Sequence, residues 1–157
     1  MEQKQKQKLF DTFPEMFPNT VNYRGRAEIA CGDGWFHIIM AMCETIQQDY
    51  NFRKSRWETS LVYKGNAYWT EAVCADAEKA FRGVGLPGFV QIKEKFGSLR
   101  IYADGHYNVP FVEGAISFAE HMSTKVCEKC GAPGTLRANN WWRVSCETCE
   151  PTTPDAA

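Results

Sequence analysis

Four of the seven cysteines fall into two Cys-x2-Cys pairs, Cys127/Cys130 and Cys146/Cys149, with 15 residues between them. A Cys-x2-Cys turn places two sulfurs on one edge of a tetrahedron, and a second turn across a short loop supplies the opposite edge. That is the donor set of a structural zinc site. Four thiolates saturate the ion and leave no position for a catalytic water. A disulfide pairing and unliganded thiols are the alternatives, and a reversible redox role lacks the βαβ context it would need. The spacer suits a ribbon. Gly131 follows Cys130 where a tight turn needs positive φ, Pro133-Gly134 reads as a turn, and Asn139-Asn140 reads as a hairpin tip. Trp141-Trp142-Arg143-Val144 reads as a return strand whose tryptophans cover the site or dock it. Cys31, Cys43 and Cys74 are scattered and read as small buried hydrophobes.

A second candidate surface lies upstream. Residues 51–100 carry nine basic and five acidic side chains, whereas residues 11–50 carry two and six. Lys93, Lys95 and Arg100 fall on two runs of alternating polarity. Together with Trp141 of the ribbon they form a candidate binding surface for phosphate, a nucleotide or an acidic protein. A solvated edge whose lysines resist strand pairing is the plainer reading. From residue 119 to 150 four basic residues meet four acidic ones, so the ribbon has no charge surplus for nucleic acid. Asp33 and Glu94 are candidates for a metal-dependent nuclease or hydrolase. Asp33 reads better as a helix cap, and Glu94 falls on the apolar side of its alternation. No phosphate-cradling glycine loop, nucleophile elbow or HExxH motif occurs.

These residues need elements to position them. Phe10, Phe13, Met16 and Phe17 suit a short helical face limited by Pro14 and Pro18, preceded by a Lys/Gln run read as a frayed, solvated tail or first turn. Asp33 opens a helix running to about Tyr50, with Trp35, Ile38, Ile39, Met42 and Ile46 on one face. Residues 51–66 are polar, with Leu61-Val62-Tyr63 read as a short strand. Thr70 starts a second helix carrying Val73, Ala77, Ala80 and Phe81. Residues 89–96 and 98–103 form a hairpin with Gly97-Ser98 at its turn. A third helix spans 109–124, with Phe111, Ala115, Phe118, Ala119 and Met122 on one face. The expected fold class is α+β: helices packed on a small antiparallel sheet, with a C-terminal four-cysteine zinc ribbon. The expected organisation is a domain over 1–124, a ribbon over 125–150 and a disordered tail over 151–157.

Chain length supports a core without staples, since roughly two thirds of the unfolded surface would be buried. A formal net charge of -1 argues against coating nucleic acid or an anionic membrane. No apolar run approaches a membrane span, and the first residues lack the apolar stretch of a secretory signal. A cytoplasmic protein is the expectation.

In order, the chain reads FPEMFP, CGDGWFHII, VQIKEKFGSLRIY, CEKCGAPGTLR and WWRVSC. This series resembles a family of bacteriophage and prophage proteins whose members combine a CGDGW-type helix start, a KEKFG-type hairpin and a CExCGxPG knuckle. The resemblance covers most of residues 13–149. Residues 51–88 fit it loosely, a region of variable length in the family. Relatives often end the second knuckle with Cys and His, where this chain has Cys149. The resemblance implies a phage-encoded protein made in the bacterial cytoplasm and transfers no catalytic residue. The expected role is a non-enzymatic accessory protein that binds a host protein or a signalling nucleotide, in host take-over or counter-defence. A nucleic-acid-binding zinc ribbon is the rival binding role.

Overall fold

The computed structural model describes residues 1–18, 27–138 and 141–150. The expected tip at Asn139-Asn140 and the tail at 151–157 lie outside them. The elements run α1 (Gln3–Thr12), β1 (Glu28–Ala30), a 3-10 turn (Asp33–Trp35), α2 (Phe36–Tyr63), α3 (Glu71–Phe81), β2 (Gly88–Lys95), β3 (Ser98–Asp104), α4 (Val109–Ser123), β4 (Thr135–Arg137) and β5 (Arg143–Ser145). The fold is α+β. No helix among the described residues is long and apolar enough to cross a membrane.

The Lys/Gln run, expected as a frayed tail or first turn, is helical from Gln3 onward. α1 occupies it and stops at Phe13, because a residue before proline is pushed out of the α region. Phe13, Met16 and Phe17 then turn inward and are buried. The ring of Phe17 lies 5.5 Å from Phe10 and 5.3 Å from Phe89. The Phe89 N–H donates to the Met16 carbonyl at 2.8 Å, which ties this segment to the sheet.

The sheet has the order β1-β2-β3 and is mixed rather than antiparallel throughout. β2 and β3 form the expected antiparallel hairpin, whereas β1 joins β2 in parallel, with Ile29 opposite Ile92. A register shift between Phe89 and Gln91 turns Phe89 and Ile92 to the same buried side. The simple alternation expected along the strand therefore breaks at Val90. The turn is Phe96-Gly97, with φ of 53° and 72°, so both central residues are left-handed, as in a type I′ turn. This displaces the expected Gly97-Ser98 turn by one residue.

The core lies between this sheet and the helices: Ile29, Phe89, Ile92, Leu99 and Ile101 meet Ile39, Met42, Cys43 and Ile46 of α2 and Val112 and Ala119 of α4. The buried face of α4 is Val112, Ala119 and Ser123, while Phe118 stands exposed, contrary to the expected stripe. α4 also closes the open edge of β3. Ser123 Oγ accepts the Leu99 N–H at 2.8 Å, and Glu120 Oε1 accepts that of Ile101 at 3.0 Å. Edge N–H groups that would template foreign strands are thereby satisfied.

α2 is much longer than the expected run to Tyr50. Leu61-Val62-Tyr63 is its last turn, not a strand. α3 packs along this outer half, with Phe81 stacked on Trp57 at 5.1 Å and near Tyr50 at 5.5 Å. Arg53 pairs with Asp49 and donates to the Ala80 carbonyl near the end of α3. Thr70 caps α3 as expected, accepting the Val73 N–H at 3.4 Å.

Candidate metal centre and adjoining cleft

The two Cys-x2-Cys pairs converge. One sulfur from each of Cys127, Cys130, Cys146 and Cys149 lies within 4.8 Å of all the others, and Cys130 and Cys146 are 3.6 Å apart. A tetrahedral ion with bonds of about 2.3 Å requires sulfur separations of about 3.8 Å, so the cluster could hold one metal ion. Local backbone makes the knuckles. The Gly131 N–H donates to the Cys127 carbonyl at 2.9 Å, and Gly131 has φ +80°, which only glycine adopts cheaply. The Cys149 and Glu150 N–H groups both donate to the Cys146 carbonyl. β4 and β5 pair antiparallel between the knuckles, with Leu136 opposite Val144.

Burial opposes ionisation of the Cys127 thiol. The N–H groups of Cys146, Cys130 and Lys129 and the Cys130 thiol outweigh it and bring the group down to about 6. Cys149 is pushed up to about 12, first by its hydrogen bond with Cys130 and then by desolvation and its other sulfur neighbours. Four sulfurs crowded together resist carrying four charges unless a cation is shared among them. Cys31, Cys43 and Cys74 are buried, as expected. Burial raises the Cys31 thiol to about 12 and also raises Cys43, so both are inert apolar fillers.

The Cys31-Gly32-Asp33-Gly34-Trp35 segment turns out to be the seat of the first knuckle. The Gly34 N–H donates to the Glu128 carbonyl at 2.8 Å, the Gly32 N–H to Glu128 Oε1 at 2.8 Å, and Trp35 Nε1–H to the Val126 carbonyl at 2.9 Å. A Cβ on Gly34 would lie 2.1 Å from the Cys127 carbonyl oxygen, and one on Gly32 would lie 2.2 Å from that of Glu128. Both positions are glycine because backbone meets backbone there. Burial raises the Glu128 carboxyl above its ordinary range, with nearby Glu94 adding to the effect against the Gly32 N–H. Asp33 does not cap its own helix. Its Oδ1 accepts the Glu2 N–H at 2.6 Å, at the start of α1.

The ribbon also meets the hairpin turn, where a Cβ on Gly97 would lie 2.4 Å from a Leu136 methyl and 3.2 Å from the Arg143 nitrogen. Beside this contact opens a cleft of about 740 Å³ lined by Glu94, Lys95, Phe96, Trp141 and Trp142. Phe96, Trp141 and Trp142 are 69%, 68% and 50% exposed. The tryptophans are thus not buried in the domain, whereas Val144 and Ser145 of β5 are buried.

Of the residues named from sequence, the structure brings Lys95 and Trp141 together and leaves two apart. Lys93 lies over the Tyr102 ring at 5.3 Å, and Arg100 pairs with Glu120 at 3.6 Å. Glu94, Phe96 and Trp142 complete the cleft and were missed as binding residues. A non-glycine residue beside glycine at a hairpin tip was the available signal for Phe96. Glu94 Oε1 accepts the Gly97 N–H at 2.7 Å, so Glu94 and Asp33 both act as structural acceptors. Among the described residues, the four cysteines are the one group of three or more such side chains close enough to share a metal. No family model, curated protein or solved structure matches this chain.

Proposed function

We propose that this chain is a zinc-stabilised accessory binding protein of phage origin, acting without catalysis on a host protein or a signalling nucleotide in host take-over or counter-defence. One observation carries the reading: the cleft between the hairpin tip and the ribbon, whose walls come from two parts of the chain held in place by the knuckle seated on Gly32 and Gly34. Open aromatic surface beside a cation is suited to recognition. Zinc is the assigned ion because a closed, four-thiolate tetrahedron suits a redox-inert divalent metal. The phage setting and the bacterial cytoplasm follow from the motif series.

Metal analysis of the purified full chain should return about one zinc per chain, lost in Cys127→Ser. Visible iron–thiolate absorption would overturn that assignment. Tagged protein recovered from infected bacteria, read out for both proteins and small molecules, should retain a partner that Trp141→Ala loses. Identical recovery by the two forms would defeat the proposed binding surface.

A further inference from the structure

We infer that the cleft between the Phe96-Gly97 turn and Trp141-Trp142 takes an unstacked nucleobase with its phosphate. The assignment rests on the cleft being the binding surface, as proposed above, and names the chemistry of what enters it. Three large rings line one cleft and remain at least half exposed. Single exposed apolar residues are ordinary, but three rings gathered in one cleft form a contiguous patch of the kind that marks an interaction site. Rings kept in water beside one another offer flat faces to a flat ligand, and stacking is the interaction such faces make best.

The charges select among flat ligands. Lys95 lines the cleft, and its ammonium stands 5.5 Å from the centre of the Phe96 ring. Among the described residues it has no carboxylate partner within ion-pair distance. The Glu94 carboxylate also lines the cleft, but it is held by the Gly97 N–H, so the phosphate belongs on the lysine side. A ring next to a cation is the arrangement met by a nucleobase next to its phosphate. The volume of about 740 Å³ is open enough for a base and its sugar. Phe96 supports the same conclusion from the backbone. At φ 53° it occupies a left-handed position where asparagine or glycine would be easier, and its ring is directed into the cleft instead of the core.

The chemistry is shared by free nucleotides and by unpaired strands, and the experiment separates them. Zinc-loaded full chain would be titrated with AMP, GMP, CMP and UMP, with a mixed 12-nucleotide RNA, with the same sequence as DNA, and with its duplex. Tryptophan fluorescence and anisotropy of labelled strands would be followed. The expected result is saturable quenching, weakened roughly tenfold or more in Trp141→Ala. Lys95→Ala should reduce the log–log salt slope for strands by about 0.7. Lys64→Ala, on the exposed end of α2, should change neither, and each variant must keep its zinc. Mononucleotides binding as tightly as strands identify a free nucleotide. Strands binding at least tenfold tighter identify single-stranded nucleic acid. Either result supports the assignment. Equal affinity for duplex and single strand overturns it, because no base is then exposed. A protein captured through Trp141 with no nucleotide or strand bound also overturns it, but leaves the binding-protein reading standing.

Discussion

Gly34 shows how a residue with no side chain can hold two distant parts of the chain together. A methyl group there would press on the Cys127 carbonyl oxygen at 2.1 Å and the Gly131 nitrogen at 2.4 Å, both backbone atoms that cannot rotate away. Gly34→Ala is therefore expected to cost about 1–3 kcal/mol or more and to loosen the ribbon. Chemical denaturation and a zinc-chelator competition should both register the loss. Gly114 is the matched control, because a Cβ there meets nothing within 4 Å. It occupies an exposed position within α4, so Gly114→Ala should stabilise by about 0.5–1 kcal/mol. If Gly34→Ala kept both stability and metal affinity, the knuckle would not need its seat. The cysteine set was legible in the sequence because metal geometry fixes spacing. The glycine seat was not, because its partner lies roughly a hundred residues away and only the fold reveals the pairing.

At the level of elements, the hairpin sets turn chemistry against recognition. Two left-handed residues in succession favour Asn-Gly, yet the chain has Phe96-Gly97. Phe96→Asn should raise stability by about 0.5–1 kcal/mol while removing a ring from the cleft. Thermal unfolding and ligand titration should thus move in opposite directions. A variant that lost stability would show that the ring packs rather than waits. Strongly patterned elements were readable in advance: the start of α2, the capped α3 and the two hairpin strands. The outer half of α2 was not, since a helix touching only α3 buries a narrow face and leaves the rest polar. Val62 and Tyr63 at its end favour a strand by local propensity, and helix continuity overrode it. β1 has three residues, too few for periodicity to mark.

For the molecule as a whole, the main core and the metal cluster are largely separate. The core includes no cysteine of the cluster and neither ribbon strand. Removing the ion should therefore leave the helical circular dichroism nearly intact, while hydrogen-exchange protection collapses over residues 125–150. Acid should have the same effect. The Cys127 thiol lies below its ordinary value in the folded chain, at about 6. The stability it lends is full above the unfolded thiol range and is lost as pH falls through that value. Zinc affinity followed by a colorimetric chelator should fall as pH drops, because every thiolate ligand must be deprotonated to bind. An affinity flat between pH 8 and 5 would contradict thiolate ligation.

α2 has a further consequence. Its 28 residues extend about 42 Å, and only the first part, to Ile46, joins the core. Beyond that point it is a cantilever with α3 folded back along it. Such a beam can be shortened or extended by whole turns in both helices without disturbing the sheet or the sulfurs. Homologous chains should thus differ most in the interval between CGDGW and KEKFG, in paired steps of about seven residues, while the distance from KEKFG to the first Cys-x2-Cys stays fixed.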